Sequence, residues 1–123
     1  MNTPPSTAPS ALSPQIVVLN LEEAIERMGD KEIYLEIARY FAAHLEQTLE
    51  HLRAALEDRN MEEATRLAHS LKGNCATVGA DALREECLKL EHLCRAGNRD
   101  AARNGFDALV PKLLGLRERL NSL

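Results

Sequence analysis

The segment Asn60–Gly79 has the sequence NMEEATRLAHSLKGNCATVG and contains both the start and the stop of one helix. Asn60 followed by Glu63 is typical of a capping box, and Gly79 is the residue type that most often ends a helix in the left-handed conformation. Between them apolar residues recur at intervals of three and four, which predicts a helix to about Val78 with one face on a core. The residues of that face are Met61, Ala64, Leu67, Ala68, Leu71, Cys75 and Val78.

His69 lies outside this apolar face. At about 100° per residue its side chain points roughly 140° away from the centre of the face, and therefore into solvent. Lys72 and Gly73 are its neighbours three and four residues on along the helix surface. A neutral imidazole nitrogen is a competent nucleophile near neutral pH, and a nearby ammonium group can offset negative charge on a ligand. Gly73 costs the helix about 1 kcal/mol relative to Ala, which indicates a need for open space beside the histidine.

The same start and stop signals recur along the chain. Asn20 with Glu23 predicts a capping box for a short helix that Gly29 ends, and Asp30 predicts the cap of a long helix reaching about Arg59. A further helix is expected to run to about Ala96. The last helix is expected to begin after Asn98 and to kink near residues 108–110, because Pro111 lies inside it.

The long helix has an apolar stripe that includes one histidine. We expect that stripe to face the core and His44 to be a partly buried core residue rather than a second reactive histidine. The predicted stripe consists of Ile33, Ile37, Tyr40, Phe41, His44 and Thr48, broadened by Leu45, Leu52 and Leu56.

Four long helices joined by short connections predict an all-α fold, an antiparallel up-down-up-down four-helix bundle with a short N-terminal capping helix. Only 3% of the residues are aromatic, which favours packed helices over a β-sandwich. We assign residues 16–123 to the bundle. Residues 1–15 contain four of the five prolines and predict a disordered tail. The initial Met and this tail favour a free-standing protein.

Composition excludes several functions. The formal charge is -4 and the basic residues are scattered, which argues against nucleic-acid binding. No apolar run approaches the ~18 residues of a membrane span, and no export signal is evident. Three cysteines without a C-x-x-C pair fit a reducing cytoplasm, and Cys87 and Cys94 are expected to be small core residues. We expect no metal site and no cofactor.

The sequence AHSLKGNCATVGA, residues 68–80, resembles the histidine phosphotransfer (HPt) domains of bacterial phosphorelays, whose motif is H-x-x-K-G followed by a helix-ending glycine. Leu83, the Leu90-Glu91 pair, the Tyr40-Phe41 pair and the acidic first helix are also similar to the family, and the resemblance covers about residues 19–120. Pro111 departs from the pattern and bears only on the last helix, while Cys75 stands where a small apolar residue is expected.

The resemblance implies a monomeric carrier that takes a phosphoryl group from a receiver-domain aspartate and donates it to another. By that resemblance His69 is the phosphorylated residue, Lys72 steadies the phosphoryl group, and Gly73 and Ala76 allow the receiver to approach. Glu91 is either a carboxylate that orients the imidazole or a plain surface residue.

The implied partners are receiver domains of response regulators or a hybrid histidine kinase, with Mg²⁺ supplied by the receiver. Residues beside His69 are candidate partner contacts, although some can equally be ordinary surface residues. The candidates are Thr65, Arg66, Ser70 and Ala76, with Arg95 as a further rim residue.

Two other classes stay open at this point. A dimeric histidine kinase core also displays a helical histidine, but an acidic residue typically follows it, whereas Ser70 stands here, and no glycine-rich nucleotide-binding segment is present. A scaffold bundle that kept the fold and lost the chemistry is the other class. Since His69 and Lys72 are both present, we favour the carrier, which needs no ATP site of its own.

Overall fold

The computed structural model describes residues 17–123, which form five α-helices and no strand. Named α1 to α5 in chain order, the helices are Leu21–Met28, Lys31–Glu57, Met61–Val78, Asp81–Arg95 and Arg99–Asn121. The all-α prediction is confirmed for this part of the chain. The predicted tail, residues 1–15, lies outside the described residues.

Side chains cap three of the helices as predicted. Asp30 accepts hydrogen bonds from the first backbone N–H groups of α2, while Asn60 and Asn98 do the same for α3 and α5. The capping box predicted at Asn20 is wrong, because its side chain makes no cap hydrogen bond to α1. The Asn20 amide donates instead to Asp81 and so ties the start of α1 to the start of α4.

Gly79 ends α3 as predicted and also docks α1. Its φ of 88° is left-handed, a conformation that L-residues with a Cβ rarely adopt. Its carbonyl accepts the Asn20 backbone N–H at 2.9 Å. A Cβ at this position would lie 2.8 Å from the Asn20 carbonyl oxygen and 3.1 Å from the Ala24 Cβ. The turn therefore requires glycine for both its backbone angle and its closeness to α1.

Each of the four long helices packs against two others. The pairs are α3 with α4, α2 with α5, α2 with α3 and α4 with α5, and α1 lies against α2 and α3. The Tyr34 hydroxyl donates to the Val78 carbonyl at 2.7 Å, so the start of α2 lies beside the end of α3. The buried interior is filled mainly by leucine and alanine side chains from all five helices.

The apolar stripe predicted for α2 is partly wrong. Phe41 and the three predicted leucines are buried, but Ile33, Ile37 and Tyr40 are 46%, 39% and 67% exposed, and His44 is exposed as well. In the second half of α2 the buried face consists mainly of leucines. In the first half the same face consists mainly of alanine and aromatic residues. That face consists of Tyr34, Ala38, Phe41, Ala42, Leu45, Leu49, Leu52, Ala55 and Leu56.

The remaining helix predictions concern α5 and the cysteines. α5 continues through Pro111 without a break, and the proline ring is exposed, so its missing N–H removes one hydrogen bond without crowding the core. Cys75, Cys87 and Cys94 are free and buried, which confirms the core positions of Cys87 and Cys94.

Across residues 17–123, no helix has the length and apolar character that crossing a bilayer requires.

Candidate functional site

His69 projects from the middle of α3 into solvent. Its side chain is 64% exposed, while the flanking Ala68 and Leu71 are fully buried and anchor this turn of the helix on the core. The exposed position follows from the helical period, as the sequence predicts. A histidine held on a rigid helix but outside the core is accessible to another protein.

Glu91 is the buried partner of this histidine. It lies on α4 with only 2% of its surface exposed, and it is the one charged residue in the interior of the described chain. Its Oε2 lies 3.0 Å from His69 Nδ1. The alternative that Glu91 is a plain surface carboxylate is therefore wrong. Carboxylates are rarely buried unless they are paired, and this one is paired with the histidine of the motif.

Two cations complete the cluster around Glu91. Arg95, one turn further along α4, donates to Oε2 at 2.7 Å. Lys72 Nζ lies 3.0 Å from Oε1, yet within the described residues no donor is aligned on that oxygen, so Lys72 makes an ion pair rather than a directed hydrogen bond. We name the four residues His69, Lys72, Glu91 and Arg95 the His69 cluster.

The ionisation of Glu91 decides the tautomer of His69. Burial works to raise the pKa of the Glu91 carboxyl, but the contacts from Arg95, Lys72 and His69 outweigh it and lower that pKa to about 2. At neutral pH the carboxylate can only accept, so the proton must lie on His69 Nδ1. In the neutral ring Nε2 then carries the lone pair. The geometry leaves the nitrogen farther from the backbone as the nucleophilic atom.

Open space surrounds the histidine along α3. Gly73 is exposed, and a Cβ built on it meets nothing within 4 Å, so no internal contact requires glycine here. Ala76, two turns from His69 on the same face, is small and half-buried, and its carbonyl accepts a hydrogen bond from Arg27. Glycine at residue 73 therefore leaves open space on the surface beside His69, and packing of the bundle does not require it.

The other predicted contact residues lie on the same helix with their polar groups partly occupied. The Thr65 hydroxyl donates to the Met61 carbonyl, and Arg66 forms two hydrogen bonds with Glu63. Ser70 is exposed beside His69. None of them makes a hydrogen bond or an ion pair with the His69 cluster.

A second exposed surface lies on α2, on the flank away from α5. Glu46 of α2 pairs with Arg117 of α5, and this pair marks the flank that faces α5. Ile33, Ile37 and Tyr40 lie about 120–180° around the helix from Glu46, on the side adjoining α3, and we name these three residues the α2 patch. His44, predicted to be partly buried, instead stacks on Tyr40 with 4.0 Å between ring centroids.

Two features of the site were missed in the sequence. Arg95 appeared only as a rim residue, although its spacing of four from Glu91 is the distance at which helical ion pairs form. The α2 patch was assigned to the core, because isoleucine and tyrosine at helical spacing do not by themselves say which flank is covered. His51 and His92 are also exposed.

Comparison with known protein families gives a match over most of the described chain. The family model described as Hpt domain matches residues 36–123, which include the whole His69 cluster. No curated protein and no solved structure matches the chain significantly.

Proposed function

The chain belongs to the Hpt domain family, whose members act in histidine phosphotransfer within phosphorelays, and from this premise we propose that Nε2 of His69 carries the phosphoryl group. The group would come from the aspartyl phosphate of one receiver domain and pass to the aspartate of another. The protein itself contributes a phosphoryl acceptor and no ATP chemistry.

One observation carries this proposal: a surface-exposed histidine has its Nδ1 bound to a buried, ionised carboxylate. Glu91 accepts from Nδ1 at 3.0 Å, which leaves the lone pair on Nε2. A histidine oriented in this way needs no further activation to attack a phosphoryl group, because the neutral ring already has its nucleophilic nitrogen outside. A merely structural surface histidine would not require a buried charge.

Lys72 is the proposed phosphoryl-stabilising residue. Its side chain is 24% exposed and its ammonium group lies at the edge of the His69 cluster. A phosphoryl group on His69 brings negative charge one helical turn away, and the ammonium offsets that charge. Magnesium, which phosphoryl transfer to an aspartate requires, is expected in the receiver partner.

The receiver domain is proposed to dock across α3 and α2. Gly73 and Ala76 leave room beside His69, with Thr65, Arg66 and Ser70 as outer contacts. The α2 patch adjoins α3 on the flank that the bundle leaves uncovered, and exposed apolar side chains of this size are typical anchors of a protein interface. We expect the protein to act as a monomeric up-down-up-down four-helix bundle in the cytoplasm.

The first experiment tests carriage itself. Purified protein is mixed with receiver domains carrying a radiolabelled aspartyl phosphate, and transfer is followed over time. We expect about one equivalent of label per chain, labile to acid and stable to alkali, as phosphoramidates are. If none of several receivers transfers label to the protein, the carrier function is contradicted and a scaffold is favoured. A stable dimer on gel filtration would instead revive the kinase-core alternative.

Replacing Gly73 is expected to change stability and transfer in opposite directions. Gly73→Ala should raise the free energy of unfolding by about 1 kcal/mol, because the added methyl meets open space and the helix gains propensity. The same variant should slow transfer from a receiver several-fold, and Gly73→Leu should slow it about tenfold, since bulk there keeps the partner backbone away. Urea denaturation and transfer kinetics measure the two effects.

Gly105→Ala is the matched control for Gly73, because it adds the same methyl inside a helix of the opposite side, with side-chain neighbours at 3.8 and 3.9 Å. It should stabilise the protein similarly and leave transfer unchanged. If both variants transfer at the wild-type rate, and Gly73→Leu does too, the open space beside His69 is not used by the receiver.

Charge on the α2 patch is expected to weaken the receiver complex. Ile37→Glu should lower the second-order rate of transfer about tenfold, since an apolar anchor at an interface is typically worth more than 1 kcal/mol. Phosphorylation of His69 by phosphoramidate, a small-molecule donor, should be unchanged. Ala108→Glu, which adds a carboxylate at an exposed position of α5, is the control. Equal transfer rates for the two variants would exclude the α2 patch from docking.

A further inference from the structure

The His69 cluster has an unusual charge balance. The Glu91 carboxylate is negative while Lys72 and Arg95 are both positive, so the cluster carries a net charge of one positive when the imidazole is neutral. Cys94 adds no charge, because burial first and then the Glu91 charge raise its thiol pKa. The His69 cluster therefore carries a positive charge that favours an anion at the ring.

Other charged groups on the adjoining helices are engaged elsewhere. On α3, Arg66 is bonded to Glu63, and on α4, Arg84 pairs with Glu85. Tyr40 and His44 of α2 stack on each other, and Lys112 of α5 pairs with Glu86. Arg27 of α1 binds the Ala76 carbonyl. The groups in contact with His69 and Glu91 are thus those of the His69 cluster.

Phosphorylation changes this balance through the ring itself. When Nε2 attacks the phosphorus of a receiver's aspartyl phosphate, the P–O bond breaks and the aspartate carboxylate leaves with its electron pair. The Nδ1 proton is still bound to the ring, so the product is an imidazolium cation bearing a phosphoryl dianion. With the proton retained, the charges of the cluster and of the phosphoryl group cancel. Loss of the proton would leave a negative excess in a site whose carboxylate lies 3.0 Å from Nδ1. Both effects favour retention.

We propose that Glu91, positioned by Arg95, keeps the Nδ1 proton on phosphorylated His69 and so makes the phosphoryl group ready for onward transfer. The inference rests on the proposed phosphorylation of His69. It assigns two positioning residues, Glu91 acting on the ring and Arg95 acting through Glu91. A carboxylate at this position has a consequence that an amide would not have, because only the carboxylate offsets the ring cation.

The transfer step shows why the proton matters. An aspartate oxygen of the receiver forms a bond to phosphorus while the bond between phosphorus and Nε2 breaks, and its electron pair returns to Nε2. With Nδ1 protonated the leaving group is a neutral imidazole. Without that proton it would be an imidazolate anion, a far poorer leaving group. Total charge is the same before and after the step, so no other reactant is needed.

Arg95 contributes by orienting the carboxylate. It donates to the same oxygen, Oε2, that His69 Nδ1 contacts, and it does so at 2.7 Å from one turn along α4. Lys72 holds the other oxygen, Oε1. Rotation of the carboxylate away from the ring would break the Arg95 hydrogen bond and separate Oε1 from Lys72. Loss of Arg95 should therefore act in the same direction as loss of the Glu91 charge, but less strongly.

The test uses chemical phosphorylation of the full chain. Phosphoramidate labels His69, the donor is removed, and phosphorus NMR follows the decay of phosphohistidine from about pH 6 to 9 in wild type, Glu91→Gln and Arg95→Gln. Near pH 8.5 the phosphohistidine of Glu91→Gln should decay at least about tenfold more slowly than that of wild type. The reason is that an adjacent opposite charge typically raises the pKa of a cationic group by about one or more. Near pH 6, where both rings are protonated, the two rates should converge.

Glu85→Gln is the control, since Glu85 lies exposed on the same helix and, within residues 17–123, pairs with Arg84 alone. It should follow the wild-type pH profile. Nitrogen NMR of the phosphorylated ring gives a readout that a folding defect does not imitate: at pH 8 the wild-type ring should be a cation and the Glu91→Gln ring neutral. Identical pH profiles for wild type and Glu91→Gln, or a neutral wild-type ring, would overturn the inference.

The chemical donor separates this inference from the proposed function. If wild type accepts no label from receivers but its chemically formed phosphohistidine shows the Glu91-dependent profile, the carrier function fails and the inference stands. If receivers label His69 normally while the profile does not depend on Glu91, the carrier function stands and the inference fails.

Discussion

The His69→Gln variant is expected to take up no phosphoryl group from any receiver that labels the wild-type protein. An amide nitrogen has no lone pair available for attack, so the loss should be complete rather than partial. The fold should be unaffected, because the side chain is 64% exposed and Glu91 keeps its contacts with Lys72 and Arg95. The measurement is receiver-dependent labelling, with circular dichroism as the check on folding.

His44→Gln and His92→Gln are the matched controls for this experiment, since both histidines are exposed and neither touches the His69 cluster. Each should accept label at the wild-type rate. Equal labelling of His69→Gln and wild type would mean that another histidine carries the group, and His44 would then be the next to test.

Gly79→Ala is expected to cause a large loss of stability, because a backbone penalty and a steric clash combine at this turn. Its φ of 88° costs an L-residue about 1–2 kcal/mol. The new Cβ would also lie 2.8 Å from the Asn20 carbonyl oxygen, and the backbone at Asn20 would have to move to relieve this clash. Movement of that backbone would weaken the 2.9 Å hydrogen bond from the Asn20 N–H to the Gly79 carbonyl, which is worth about 0.5–1.5 kcal/mol. We expect a total of about 2–4 kcal/mol by urea denaturation.

Gly97→Ala separates the two causes. Gly97 also has a positive φ, 75°, but a Cβ there meets nothing within 4 Å. It should cost only the backbone penalty of about 1–2 kcal/mol. If Gly79→Ala loses no more than Gly97→Ala, the closeness of α1 to the α3–α4 turn adds nothing to stability.

Much of the fold was predictable because its signals are local. Helix stops at Gly29 and Gly79, and caps at Asp30, Asn60 and Asn98, depend on the backbone and side-chain preferences of single residues. The core face of α3 was predictable because its apolar residues have one continuous period. Asn20 shows the limit of local reasoning, since a more distant partner, Asp81, takes its side chain.

The α2 prediction failed for a related reason. Ile33 and Ile37 are as apolar as the leucines that are buried, and the helix has apolar residues around more than half of its circumference. Periodicity gives the spacing of a face, but neighbouring helices decide which part of a wide apolar face they cover. Here the covered part runs through Ala38 and Ala42, which are 1% and 4% exposed, and Ile33 and Ile37 lie at its uncovered edge.

The sequence by itself determined the helices, the exposure of His69 and its surface neighbours Lys72 and Gly73, because all of these follow from spacing along one helix. Only the tertiary structure decided that Glu91 and Arg95, more than twenty residues away, join the histidine, with Glu91 Oε2 3.0 Å from Nδ1. Burial then decided their chemistry, because a carboxylate removed from water must be paired, and its partners here hold it ionised. Local spacing orients a side chain on its own helix, whereas packing between helices sets its environment.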